Sequence, residues 1–345
     1  MNKRKLSNRQ RERIQAIQEK RRNRATQGKL GSEAPFDFAE LGPERKGTII
    51  TNFGTQVELE AADSATGPRL VRCHIRTNIE SLVTGDNVVW RPSQTLGVVV
   101  ARDERRSALM RPDIYGKLRP IAANIDTIAI VFSPRPEAFS NLIDRYLIAA
   151  EAQKIKPILI VNKVDMLALE DPVADQTKVD QLIRDYEFIG YKAFQVSAKT
   201  GQGIEELQAF LGDKTAVLVG QSGVGKSSLI NLLQPEANMA VGALSVGKAK
   251  GTHTTTISKL FHLSSGGKLI DSPGIREFGL THLSAEHVID GFIDFHPYLG
   301  RCKFRDCRHI NEPYCALLQA VRDKKILASR LNNYHQIIQS LDGEQ

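Results

Sequence analysis

The chain has 345 residues, enough for two or three domains of ordinary size, and its 41% hydrophobic and 25% charged residues match a folded chain and not a disordered one. No apolar run approaches the ~18 residues that cross a bilayer, and the start is polar, so neither an integral membrane protein nor a secretory signal is expected. The net charge of +8 is unevenly spread: residues 1–24 hold ten basic and two acidic residues, so this short arm accounts for all of it.

In chain order, the arm comes first. Lys3, Arg4, Lys5, Arg9, Arg11, Arg13, Lys20, Arg21, Arg22 and Arg24 make it an electrostatic handle for polyphosphate, most naturally nucleic acid. A solvated tail that aids solubility is the plainer reading. The Arg-rich, acid-poor start also fits an organelle transit peptide, although apolar and hydroxyl residues are few. Helix is tolerated around Ile14 and Ile17, but the apolar face is too thin to pack, so the free arm is expected to be mostly disordered. A linker containing Gly, Pro, Ser and Ala runs from Ala25 to Pro43.

Five short strand-like runs follow: Gly47–Thr51, Gln56–Ala61, Arg69–Arg76, Asn87–Arg91 and Gly97–Ala101. Gly and Asp-Asn turns between them point to a small all-β barrel, an OB-fold first, of a size that commonly binds oligonucleotides. Its single tryptophan, Trp90, suits a core position or a base-stacking platform equally.

After Met110 the rhythm changes. Apolar runs at Ile125–Phe132, Pro157–Val161, Ala193–Val196 and Thr215–Val219 alternate with helical stretches at Asn141–Gln153, Lys178–Phe188 and from Ile204. That alternation predicts an α/β domain with a mostly parallel sheet flanked by helices. From Ser284 the sequence turns helical and carries Cys and His, reading as a small third domain. The expected division is 1–44 arm and linker, 45–110 barrel, 111–283 nucleotide domain and 284–345 metal-binding helical domain.

Chemistry enters at Gly220-Gln221-Ser222-Gly223-Val224-Gly225-Lys226-Ser227, with Ser228 next. Gly, four residues, then Gly-Lys-Ser, between the strand Ala216–Val219 and a helix Ser228–Leu233, is the phosphate-loop pattern in its proper context. Its glycines let backbone N–H groups surround the phosphates at a helix N-terminus. Lys226 is expected to reach the β- and γ-phosphates, and the Ser227 hydroxyl to ligate Mg²⁺. The base is read elsewhere. Asn162-Lys163-Val164-Asp165 ends an apolar strand, where α/β sheets bind ligands, and a carboxylate at 165 can accept from guanine N1–H and its amino group. Ser197-Ala198-Lys199 ends another strand, and its amides can meet the guanine O6. Together these motifs indicate GTP.

Asp271-Ser272-Pro273-Gly274 ends the strand Lys268–Ile270 and matches the Asp-x-x-Gly element, Asp271 for Mg²⁺ and the Gly274 amide for the γ-phosphate. Thr254 or Thr255, in the loop from Gly251, is the candidate switch threonine on Mg²⁺; a Thr-rich loop is otherwise only a loop. Many small GTPases place a water-orienting Gln after Asp-x-x-Gly, but Ile275 stands here, so intrinsic hydrolysis is expected to be slow. His253 in the switch loop, or a group from a partner, could take that role; His253 as a mere loop residue is equally open.

These motifs run in shuffled order, with base-reading elements at 162 and 197 ahead of phosphate elements at 220, 254 and 271. A circularly permuted GTPase accounts for that. The Asp-x-x-Gly switch then leads straight into the C-terminal domain, so nucleotide state is expected to move it.

Four cysteines occur, Cys73 alone and three close together. Cys302, Cys307, His309 and Cys315 put three thiols and an imidazole within 14 residues, a set suited to tetrahedral, structural Zn²⁺ in a region too small for a large core. The first gap is longer than Cys-x-x-Cys, and unrelated buried cysteines or a disulfide are the alternatives. Cys73 reads as an inert strand residue.

Motif order followed by Cys-x4-Cys-x-His-x5-Cys resembles the bacterial ribosome small-subunit-dependent GTPase A family over nearly the whole chain. The resemblance implies a cytoplasmic, circularly permuted GTPase with an N-terminal OB-fold and a C-terminal zinc domain. It implies GTP hydrolysis stimulated by the 30S subunit late in its assembly, with 16S rRNA and other assembly factors as partners, no membrane contact, and a monomer. GTP is expected to favour an RNA-gripping conformation and hydrolysis to release it. The basic arm carries over least. A metabolic P-loop ATPase or kinase, and an RNA-binding module with a vestigial site, are the competing classes. Replacing Asp165 with Asn separates the first, and intact Lys226, Ser227 and Asp271 speak against the second.

Overall fold

The computed structural model describes Ala16 and residues 41–62, 69–113, 115–167, 176–235, 258–271, 280 and 283–342. The basic arm and its linker up to 40, Ala16 apart, lie outside the described residues. So do His253, Thr254, Thr255, Gly274 and Ile275. The described residues form two compact units: 41–109, 120–124 and 258–260 make the first, and 110–119, 125–235, 261–271, 280 and 283–342 the second. No helix among the described residues is long and apolar enough to cross a membrane.

In the first unit, five strands run β1 (Arg45–Asn52), β2 (Gln56–Ala61), β3 (Arg69–Ile75), β4 (Asn87–Arg91) and β5 (Gly97–Arg102). Their order is β1-β2-β3-β5-β4, and β4 pairs back onto β1, so the sheet closes into the expected barrel. Alternating residues face inward, as period-2 geometry requires, and Ile49, Val57, Leu59, Cys73, Val88, Trp90 and Val99 fill the interior. Trp90 is 3% exposed, so of its two sequence readings the core one holds. Gly97 makes room for it, since a Cβ there would lie 2.5 Å from Cys73 Sγ and 2.9 Å from the Trp90 ring. Burial pushes the Cys73 thiol up to about 12, which keeps it a neutral packing group.

Strands β6 (Ala108–Pro112) and β7 (Leu118–Ala123) pair as a separate two-stranded sheet. No clear pattern announces it: Arg111, Pro112, Arg119 and Pro120 interrupt any apolar alternation.

The second unit begins with β8 (Thr127–Phe132), α1 (Ser140–Ala152), β9 (Lys156–Val161), α2 (Gln176–Ile189) and β10 (Ala193–Gln195). It continues with α3 (Ile204–Leu211), β11 (Thr215–Val219) and α4 (Lys226–Leu233), then β12 (Lys259–His262), of which residues 261–262 fall in this unit, and β13 (Lys268–Asp271), the two following each other through a turn at 263–267. Strands β10, β9, β8, β11 and β13 lie side by side in that order, all parallel. Every residue of β8 is buried, as a strand covered on both faces demands. Helices α3 and α4 supply Leu207, Leu211, Leu229, Ile230 and Leu233 to the core beneath it.

Helices α5 (Ala285–Asp290), α6 (Ala316–Arg322) and α7 (Ala328–Asp342) complete the unit, with a 3-10 segment Ile293–Tyr298 between the first two. Both α5 and α7 pack on α1. Gly291 lets the end of α5 come close, since a Cβ there would sit 2.9 Å from the Ile148 backbone. Phe292 stacks on Phe295 at 4.8 Å, and the Tyr334 ring meets both edge-on.

Candidate nucleotide site and metal cluster

Strand β11 lies between β8 and β13, and its C-terminal end delivers the phosphate loop. Gly220 and Gly225 both hold positive φ, 141° and 92°, the region glycine enters without strain. Space matters equally. A Cβ on Gly220 would fall 2.1 Å from Val131 O, and one on Gly225 would fall 2.4 Å from Asn162 Nδ2. The Lys226 ammonium donates to the carbonyls of Gly220 and Gln221, 2.6 Å each, so it stands over the loop it closes. Burial raises the Asp271 carboxyl above its usual range, and the nearby Lys226 ammonium opposes that rise. Asp271 thus ends β13 beside the phosphate-loop lysine, where a cation would find a partly desolvated carboxylate.

Three separated segments converge on that loop. Asn162, 1% exposed, donates from Nδ2 to Val224 O (2.9 Å) and accepts at Oδ1 from Ala198 N–H (3.0 Å). One side chain therefore ties the strand ends carrying 162, 198 and 224. Lys163 takes a left-handed φ of 67° and stretches its ammonium to Gly223 O (2.6 Å) and Arg135 O (2.8 Å). Burial lowers its pKa, with Asp165 pulling the other way. Asp165 accepts from the fully buried Ser197 hydroxyl at 2.6 Å, while the Lys199 and Thr200 amides donate to that same oxygen at 3.3 and 3.1 Å. The carboxylate is held with its second oxygen unclaimed by this pair. Ser222, Ser227 and Ser228 lie along the loop and the first turn of α4.

Sequence reading missed the segment 133–139 between β8 and α1. Its Arg135 carbonyl fixes Lys163, and no side-chain motif advertises a backbone acceptor.

The cysteine cluster forms locally. Cys302 and Cys315 Sγ are 3.9 Å apart, and His309 Nδ1 lies 3.6, 3.5 and 3.3 Å from Cys302, Cys307 and Cys315. A tetrahedral zinc with ordinary bond lengths would need edges of about 3.8 Å between sulfurs and about 3.5 Å from sulfur to nitrogen. The donor set fits. All four cysteines are unpaired, which removes the disulfide alternative. His309 and Tyr314 adopt positive φ, the backbone cost of turning the ligands inward. The Glu312 carboxylate accepts from the amides of Arg308 and Ile310 at 2.8 Å and of Asn311 at 3.1 Å, and these bonds hold its pKa down at about 2.

Comparison with known proteins identifies the family. A family model, RsgA GTPase, matches residues 102–281. The small ribosomal subunit biogenesis GTPases RsgA of Ectopseudomonas mendocina and Pseudomonas aeruginosa are each 50% identical over 342 residues, covering 99% of this chain and 98% of theirs. Among solved structures, YjeQ from Thermotoga maritima is similar with a TM-score of 0.70 at 29% identity, covering 88% of this chain and all of that one. YloQ, described as a circularly permuted GTPase, reaches 0.67 at 28% identity over 91% of this chain and 99% of its own. The chain therefore belongs to the RsgA GTPase family and is a circularly permuted GTP hydrolase.

Proposed function

We propose that this GTP hydrolase times a late step in maturation of the small ribosomal subunit in the cytoplasm, binding the 30S particle and its 16S rRNA as a monomer. The observation that carries the nucleotide part is the double hydrogen bond of Asn162, which joins the base-reading segments to the phosphate loop. Asp165 would accept from the guanine edge, the Ala198 and Lys199 amides would face its O6, and the Lys163 stem would lie along the base. The amides of 220–228 and the Lys226 ammonium would hold the phosphates. Ser227 and Asp271 would hold Mg²⁺, which when bound neutralises charge on the phosphate oxygens. Thr254 or Thr255 and the Gly274 amide would sense the γ-phosphate, and His253 or a partner's group would orient the attacking water.

The ribosomal part rests on the relatives, whose names state small-subunit biogenesis. The barrel, the basic arm and the knuckle at 302–315 suit RNA: Phe53 is exposed beneath the Arg72 guanidinium at 4.4 Å, and Tyr314 is 73% exposed under Lys303. Cys302, Cys307, His309 and Cys315 would hold one structural Zn²⁺ per chain. The proposed domains are 1–44, 45–110, 111–283 and 284–345. In this cycle GTP favours the RNA-gripping state and hydrolysis releases the particle, with other assembly factors as further partners.

Phosphate release measured with and without purified small subunits at rising salt tests it. Stimulation that fades with salt is expected; none at any salt overturns the assembly role. Cosedimentation in GDP and in a non-hydrolysable GTP analogue should show the particle retained in the second.

A further inference from the structure

A buried charged cluster joins α1, α2 and α7. Asp144, on α1, is fully buried. Its carboxylate accepts from the Arg330 guanidinium and the Asn333 amide (2.7 Å) of α7, and from the Tyr186 hydroxyl (2.6 Å) of α2. Arg330, 2% exposed, also donates to Asp294 at 2.8 Å and lies 4.4 Å over the Phe292 ring. Burial pushes the Asp144 carboxyl up, and the guanidinium and both neutral donors hold it back. A buried ion pair adds little net stability over an apolar replacement, so its geometry is where a role should be sought.

That geometry leads to one residue. Asn333 Nδ2 also donates to Ser140 Oγ (3.0 Å), and Tyr186 OH lies 3.0 Å from Ser140 O, sharing its proton between that carbonyl and Asp144. Ser140 opens α1 and ends the segment 133–139. Within that segment, Arg135 O anchors the Lys163 ammonium. The segment borders an open groove of about 280 Å³ against α2, lined by Pro134, Phe139, Lys178 and Leu182, and its near end is held by the buried Ser133, whose hydroxyl donates to Arg135 O at 2.7 Å. Its far end is held by Ser140, and Ser140 is held by α7 and α2.

We propose that Asn333 and Tyr186, seated on Asp144 and Arg330, are positioning residues for guanine recognition: they fix Ser140, hence the 133–139 segment, hence Lys163 beside the base. The C-terminal helix thereby tunes nucleotide affinity without touching nucleotide. This rests on the proposed guanine site.

The test is equilibrium binding and dissociation of a fluorescent GDP on the full chain, together with KM and kcat for GTP. Asn333→Ala and Tyr186→Phe should each raise Kd and KM by about threefold to tenfold, with kcat at saturation unchanged. Tyr186→Phe keeps the ring and loses only the hydroxyl, so it reads the bond even if Asn333→Ala folds poorly. In a Lys163→Ala background neither change should cost anything further, because the chain of contacts is already cut. Ser340→Ala, which removes the 2.6 Å bond from Arg145 of α1 to α7 and leaves the contacts of Arg145 with Asn141 in place, should lower Tm and leave Kd alone. Unchanged Kd in both variants, or an equal loss with and without Lys163, would overturn the proposal. Asp165→Asn run alongside keeps the two ideas apart: if it leaves base preference untouched, the guanine site itself is wrong.

Discussion

The proposed nucleotide site and the cysteine knuckle are built by opposite strategies. At the first, Asn162, Ser197, Val224 and Asp271 follow separate parallel strands, and the bonds of Asn162 to Val224 and Ala198 and of Ser197 to Asp165 tie three of those segments together. In the second, all four donors come from one stretch of 14 residues with little core of its own, and a metal would supply the missing cohesion. A sheet can hold a polar site open in advance because its strands are fixed by a large apolar core. A short loop cannot, and it borrows its rigidity from coordination.

Four experiments probe that contrast, the most severe first. Lys226→Ala should cut kcat about 100-fold or more, since a preorganised donor aimed at the phosphates is lost while the sheet stays intact. Phosphate release reads the loss, and an unchanged circular dichroism spectrum would locate it in the site. Asp165→Asn should weaken GTP by about 10- to 100-fold and bring xanthosine triphosphate into use. Competition between the two nucleotides measures it, and no change in preference would break the base-reading assignment.

On the other side of the comparison, zinc removal by chelation, or Cys307→Ser, should lower Tm and disorder the knuckle while nucleotide affinity moves less than about twofold. A parallel collapse of nucleotide binding would show that the two sites are one. The smallest effect belongs to Glu312. Its carboxylate is held at about 2, below the ordinary 4.5, so its contribution to loop order is complete above pH 4.5 and fades as pH falls toward 2. Glu312→Gln should therefore loosen the Arg308 and Ile310 amides at neutral pH, as followed by hydrogen exchange, and differ little from the parent near pH 2.

The buried pair of Asp144 and Arg330 also bears on how nucleotide state reaches the C-terminal helices. Displacing α7 as a body would part Arg330 from Asp144 and Asp294 and leave Asp144 with Tyr186 alone, a loss of about 3–5 kcal/mol. The expectation that nucleotide state moves that region meets a structural restraint at this pair.

Local patterns carried far. Strand positions from Gln56–Ala61 to Thr215–Val219, the glycine loop and the clustering of Cys302, Cys307, His309 and Cys315 could all be read from spacing, because each depends on residues within a few turns of chain. The β6–β7 hairpin and the 133–139 segment escaped notice, the one for want of alternation, the other because its useful atom is a backbone carbonyl. Asp144 did leave a trace: a carboxylate inside the apolar run Leu142–Ala150 demands a partner. Nothing in that run names Arg330, which lies 186 positions away.

Sequence by itself pointed to the GTP hydrolase, through the Gly-Lys-Ser loop and the Asn-Lys-x-Asp and Ser-Ala-Lys strings, and to a Cys₃His set suited to a tetrahedral metal, through residue types alone. Tertiary structure decided which side chains hold those groups in place. The physical reason is that a hydrogen bond such as Asn162 to Val224, or Asn333 to Ser140, joins atoms whose proximity is created by packing the sheet and its helices. No local propensity encodes a distance between segments that meet only when the core has closed.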